Sequence, residues 1–439
     1  MQTVALNKRF FRLAIPNILA NISVPLVGLV DTAMLGHLPE IRFLAGVALA
    51  SVLFDYIFWT FGFLRMGTTG LTAQAIGRQE QNEVLAIAYR GLAIAVGTGM
   101  FLIIIKEFIA SAGFALLTAE PAVELAGKDY FDARILGAPA VLCNYVFTGW
   151  FLGRERSDLV LYLTLFTNIL NVIFNYYFLF VLHMAAAGIG WATAISNYLA
   201  LFLAIVFFFR TKVRIHTNWA HMFGKEKLLA LFRLNVDILI RTLFLISAFA
   251  VFINFSAVLG VALLAVNSII LRILSFAAYL IDGLAFAIES LAGNFIGKKD
   301  YKSLRQVLKI SLVWGELFAF LFIAIMFFVP DVFYPLLTSH GEIIELLKIY
   351  DFWVYIALIF SAMAYIFDGF FLGITQVKIL RNAMVWCFIL FFLPWAFLAV
   401  EMRNNDLLWL AMVAFMVGRA GTLGWAALKM VKLKTGTVA

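Results

Sequence analysis

LTAQAIGRQE (Leu71–Glu80) and LAGNFIGKKD (Leu291–Asp300) are two versions of one pattern, 220 residues apart. Each closes an apolar run on Ile-Gly and passes into charged residues. Two further blocks keep nearly the same offset. RLAIPNIL (Arg12–Leu19) matches RLNVDILI (Arg233–Ile240), and VFTGWFLG (Val146–Gly153) matches IFDGFFLG (Ile366–Gly373). Chance likeness among apolar residues would not hold one offset over the whole chain, so the sequence is an internal duplication.

What is duplicated is apolar. The 439 residues are 64% hydrophobic and 13% charged, with a mean hydropathy of +0.99. Soluble domains are about 45–50% apolar and about 25% charged, so lipid must solvate much of this chain. A spanning helix needs roughly 20 apolar residues. Hydropathy places spans at about 10–36, 43–76, 84–110, 130–153, 158–182 and 186–210, and again at about 231–259, 262–297, 303–329, 346–373, 379–401 and 406–430. Only helices suit runs this long, because lipid offers no partner for a free backbone N–H. Six spans per half is an even number, so both halves enter the membrane in the same direction. The expected fold is an all-α membrane protein of twelve transmembrane helices. They form two parallel six-helix lobes, related by a pseudo-two-fold along the membrane normal. Residues 1–210 and 231–439 are the lobes, and 211–230, the longest polar stretch, is a linker with a surface helix.

The net charge of +8 sits mostly in alternate loops, among them Arg154 and Arg156, Lys298 and Lys299, Lys378 and Arg381, and Lys429. The opposite loops carry few basic residues, Arg42 and Arg403 among them. The roughly fourfold bias is a topology signal that places both termini in the cytoplasm, and it removes the need for a nucleic-acid partner. Cys143 and Cys387 lie in apolar runs without metal-like spacing and read as packing residues. There is no GxxxxGK[ST] phosphate loop, and the five His are scattered in or near loops. Nothing points to an enzyme, a metal site or a cofactor. Parallel repeats are common in transporters, with the site near mid-membrane.

Ionisable groups at bilayer depth are costly and mark function by default. Asp31, late in the first span, follows Pro16 and Pro25, each of which can kink a helix. A kinked helix with a lone carboxylate can respond to protonation; alternatively, Asp31 lies in the headgroup region and is merely solvated. Asn168, Asn171 and Asn175 share one face of the fifth span. They either hold Asp31, supply oxygens to a small cation, or join helices. Thr193, after Gly188 and Gly190, either joins that cluster or bonds to its own helix. In the second half Asp282 and Glu289 share a face, and Arg241 can pair with either. A structural Arg241–Asp282 pair is one reading. Glu289 and Asp368 lack an obvious cation and are the expected contacts for a cationic substrate. Asp368 stands opposite Thr148 in the repeat, so the halves differ in charge. Asp55, Arg65, Asp237, Arg272, Glu316 and Asp351 also fall in spans and receive no role.

The stretch Pro16–Leu38, FLRMGTTGLTAQAIG (Phe63–Gly77), NILN (Asn168–Asn171) and AYLIDGLAFAIES (Ala278–Ser290) resembles the multidrug and toxic compound extrusion (MATE) family, and most of all its DinF branch. The resemblance covers essentially the whole chain. It implies two lobes in a bacterial inner membrane, acting as a monomer that exchanges organic cations for protons or sodium. It implies ion coupling by a first-helix Asp with polar residues of the fifth and sixth helices, positions that match Asp31, Asn171 and Thr193. DinF-like relatives usually carry Asp where this chain has Asn175. One carboxylate among amides would bind sodium weakly, because charge count tunes such sites, so protons are expected. Arg241, Asp282, Glu289 and Asp368 are expected to shape a second cavity. The rival expectation is a flippase for a lipid-linked saccharide. Such proteins commonly carry two more helices and a more basic cavity.

Overall fold

A computed structural model of the chain describes residues 2–117, 119–211 and 224–435. Among the described residues the regular structure is entirely helical. The first half contains α1 (Gln2–Gly36), α2 (Ile41–Thr60), α3 (Phe63–Gly77), α4 (Gln81–Ile104), α5 (Lys106–Leu116), α6 (Pro121–Ile135), α7 (Ala138–Gly153), α8 (Ser157–Tyr176) with a wide π turn at Tyr177–Val181, and α9 (Ala185–Arg210). The second half contains α10 (Lys225–Leu259), α11 (Val261–Gly297), α12 (Tyr301–Phe328), the single turn α13 (Pro330–Phe333), α14 (Gly341–Gly373), α15 (Val377–Trp386), a π turn at Cys387–Phe392, α16 (Leu393–Glu401) and α17 (Asn405–Thr435). Eleven stretches can cross a membrane, or twelve when α6 and α7, bent by 54°, count as one span.

The expected spans are present, but three are not single helices. The span expected at 84–110 runs past the end of α4 at Ile104 into α5. The span expected at 43–76 breaks between α2 and α3 at Phe61–Gly62. The span expected at 130–153 breaks between α6 and α7. Pro139 lies in the first turn of α7, where a missing N–H is no loss, so it starts a helix rather than continuing one. Of the expected surface helix at 211–230, residues 212–223 lie outside the described residues. The part from Lys225 onward is the beginning of α10.

The chain forms two compact units. The N unit is Leu19–Asn235; the C unit is Met1–Ile18 with Val236–Ala439. Each repeat's first helix therefore begins in one unit and continues in the other. The start of α10 is held in the N unit by Lys227 Nζ, which donates to Glu83 Oε2 at 2.8 Å, while Arg90 donates to the other oxygen of Glu83. The start of α1 lies in the C unit, where Arg9 Nη2 donates to Asn294 Oδ1 at 3.4 Å and Phe11 meets Trp314 edge-on at 4.6 Å.

The repeat survives in the backbone. Positive φ occurs at Gln79 and Lys299, at Glu155 and Thr375, and at His183 and Arg403, each pair 220 residues apart. The first two pairs close helices with the same hydrogen bond: Glu80 N–H to Ala75 O and Asp300 N–H to Phe295 O, then Arg156 N–H to Phe151 O and Gln376 N–H to Phe371 O, all at 2.9 Å. The left-handed residue supplies the reversal these caps need. Close packing repeats as well. A Cβ on Gly149 would stand 2.4 Å from the Arg65 carbonyl oxygen, and one on Gly369 would stand 2.4 Å from that of Ala285. Small residues let these helices touch backbone to backbone. Each unit has its own apolar core, around Phe54 and Phe131 in the N unit and around Phe252 and Trp409 in the C unit.

Candidate functional site

In the N unit one chain of hydrogen bonds joins three helices. Asn175 on α8 donates from Nδ2 to Asp31 Oδ1 on α1 at 2.6 Å, and the same nitrogen reaches Asn171 Oδ1 at 3.1 Å. Asn171 Nδ2 donates to Thr193 Oγ1 on α9 at 3.1 Å, and Thr193 donates to its own helix at Ile189 O. Thr193 thus does both things expected of it. Asn168 does not join; its amide donates to Ser23 Oγ at 2.8 Å. The helical spacing of Asn171 and Asn175 explains why both point one way. The π turn starts two residues beyond Asn175, and such wide turns recur at functional sites. Asn175 is fully buried, Asn171 nearly so, and Asp31 half-buried. Asn175 Oδ1 has no hydrogen-bond partner.

Arg134 was absent from the sequence reading and belongs to this site. Glycines draw α9 onto α6 and the bend after it. A Cβ on Gly190 would lie 2.6 Å from the Tyr130 carbonyl oxygen, and one on Gly137 would lie 2.9 Å from Ala194 Cα. Arg134, in the last turn of α6, is thereby set beside the helix that carries Thr193. Its guanidinium donates to the Tyr130 hydroxyl and lies over Phe54 at 4.4 Å. Its charge acts on both Asp31 and Asp55.

The C unit holds a different cluster. Asp368 Oδ2 on α14 accepts from Arg241 on α10 and from Arg419 Nη2 on α17, the latter at 2.8 Å. Arg419 is fully buried and lies 5.5 Å from the ring centres of Tyr365 and Phe415. One expectation is corrected: Asp368 does not lack a cation, because it has two, Arg241 and Arg419. Arg419 was not singled out in the sequence. Glu289 is buried where α11 meets α14 most tightly: a Cβ on Gly373 would stand 2.2 Å from the Glu289 carbonyl oxygen. Asp282 is half-buried on the same helix. Of the residues left without a role, Asp237 pairs with Arg381 at 2.5 Å, and Asp351 accepts from Tyr334 and Tyr355.

Two repeats of apolar helices, each enclosing a polar cluster, make the architecture of a transporter. The MatE family model matches residues 16–177 and 238–398, and the chain belongs to that family of multidrug efflux transporters. It is 32% identical to the DNA damage-inducible protein F of Escherichia coli (strain K12) over 95% of this chain and 91% of that protein. It is 26% identical to the probable multidrug resistance protein NorM of Acinetobacter baylyi over 82% and 79% of the two chains. In fold it resembles the outward-facing conformation of a multidrug resistance MATE family transporter, with a TM-score of 0.87, 20% identity and coverage of 98% and 96%.

Proposed function

We propose that this protein exports cationic or amphipathic compounds in exchange for protons, with Asp31 as the proton carrier. The observation that carries this reading is the bond from Asn175 Nδ2 to Asp31 Oδ1 within a chain of neutral groups. A carboxylate bonded only to an amide can lose its charge without breaking an ion pair. The polar atom that faces Asp31 is a donor, which suits a carboxylate. Protonation makes Asp31 a donor. Asn175 can answer by turning its unpartnered Oδ1 toward it, which reverses the direction of the chain through Asn171. Pro16 and Pro25 remove backbone donors from the helix that carries Asp31 and allow it to bend as those bonds rearrange. The chain would work as a monomer in a bacterial inner membrane, with both termini cytoplasmic.

The test is efflux of a cationic dye from vesicles containing the full chain, under an imposed pH gradient and then under a sodium gradient. Proton coupling predicts efflux with the first alone; efflux driven only by sodium would end it. Asn175→Asp, which sets a second carboxylate beside Asp31, is expected to add a sodium response.

A further inference from the structure

α15 and α16, joined by the π turn, form one span, and α17 forms the next. They are linked by the short turn Met402–Asn404, so they run antiparallel, and the start of α15 lies level with the end of α17. Between them is a groove of about 710 Å³, whose lining includes Asn382, Trp386, Gly421, Trp425, Ala426 and Lys429. It lies wholly within the C unit.

The groove has a direction. At one end Lys429 Nζ lies 5.1 Å from the centre of the Trp425 ring, and exposed Lys378 stands at the start of the facing helix. Asn382 lines the same end. Its Oδ1 already accepts from Arg381 Nε at 3.1 Å and Nη2 at 2.9 Å, and Arg381 is in turn bonded to Asp237. The amide NH2 of Asn382 is therefore the group it can offer a ligand. Farther in, the walls are Trp386, Ala426 and the methyl face of Thr422, whose hydroxyl is turned back to Gly418 O at 2.7 Å. Among the described residues, no carboxylate lines the groove. Gly421 keeps it open, because a Cβ there would meet nothing within 4 Å. The eight residues from Gly421 to Lys429 span ~12 Å of helix.

A cation at one end and an aromatic, apolar trough behind it fit an anionic amphiphile and repel a cationic one. The basic end also lies on the side where Lys and Arg collect, which the positive-inside rule turns toward the anionic leaflet. We propose that this groove binds an anionic phospholipid, with its phosphate at Lys429 and Asn382 and an acyl chain along Trp386 and Gly421.

Trp386 and Trp425 give a direct readout. The full chain is reconstituted in phosphatidylcholine vesicles containing a minor fraction of brominated phosphatidylglycerol or, in parallel, of brominated phosphatidylcholine. Trp386→Phe and Trp425→Phe isolate the fluorescence of the groove. Phosphatidylglycerol should quench this component with about fivefold higher apparent affinity, the factor expected of one basic residue at a lipid surface. Lys429→Gln should remove that preference. Gly421→Leu, which fills open space and leaves neighbours in place, should weaken quenching by both lipids. Equal quenching by the two lipids in the unaltered protein would overturn the proposal. So would a preference that survives both substitutions, or quenching by a brominated cationic amphiphile as strong as that by phosphatidylglycerol.

Discussion

Asp31 and Asp368 are both carboxylates within candidate membrane-spanning helices, one in each unit, and their partners are opposite in kind. Asp31 takes its bond from the neutral amide of Asn175; Arg134 acts on it only through space. Asp368 is gripped by Arg241 and Arg419, and neither arginine is more than slightly exposed. Taking the charge from Asp31 breaks no ion pair. Taking it from Asp368 leaves two guanidiniums uncompensated in the membrane interior. The two halves repeat their caps and glycine contacts, but the N unit breaks its helices at Phe61–Gly62 and between α6 and α7, where α11 and α14 run unbroken. On the proposed reading, one unit changes charge state and the other keeps it.

This contrast can be broken most severely at Asp368. Asp368→Ala should cost ~3–5 kcal/mol, the loss expected when one partner of a buried ion pair is removed. It would be read as a large fall in melting temperature and in yield. Asp31→Asn should leave the melting temperature nearly unchanged. Equal losses at both positions would erase the proposed division of roles.

The next effect tests where the halves are alike. Gly149→Val and Gly369→Val each drive a side chain into a backbone oxygen 2.4 Å from the new Cβ. Both should destabilise by ~1–3 kcal/mol, and by similar amounts. A loss at one position only would show that the packing repeat is not energetically equivalent.

The smallest effect concerns two matching turns. Asp300 caps α12 by accepting from Ser303 N–H at 3.0 Å, whereas Glu80, its counterpart before α4, makes no cap and pairs with Arg78 instead. Asp300→Ala should cost ~1 kcal/mol, and Glu80→Ala should stay within ~0.5 kcal/mol. Burial pushes the Asp300 carboxyl up, but the bonds from Ser303 and the charges of Lys298 and Lys302 outweigh it and hold it below the usual carboxylate range. Its contribution is therefore complete above the unfolded value of ~3.9 and is lost as pH falls through the lower folded value. Acid melting curves of the unaltered protein and Asp300→Asn should separate at neutral pH and converge in strong acid.

The duplication, the spans and the Asp31–Asn171–Asn175–Thr193 group were legible because each is a local or periodic signal. Apolar length marks a span, and three asparagines on one face mark a polar stripe. The breaks at Phe61–Gly62 and Leu136–Gly137 were not legible from hydropathy, which follows side chains and is blind to the backbone course between equally apolar residues. Arg134 was hidden because it ends a helix that read as the start of a span. Arg419 sits in FMVGRAGTLGW as a lone charge whose partner is 51 positions away. Only the packing of α10, α14 and α17 joins Arg241 and Arg419 to Asp368, and no spacing along the chain encodes it.

Asp31 is tested most directly by transport in vesicles with Asp31→Asn beside the unaltered protein at matched reconstitution. Proton coupling through Asp31 predicts that the variant folds, keeps its melting temperature, and loses both dye efflux under a pH gradient and the accompanying proton flux. Undiminished proton-coupled efflux by a correctly folded variant would contradict it.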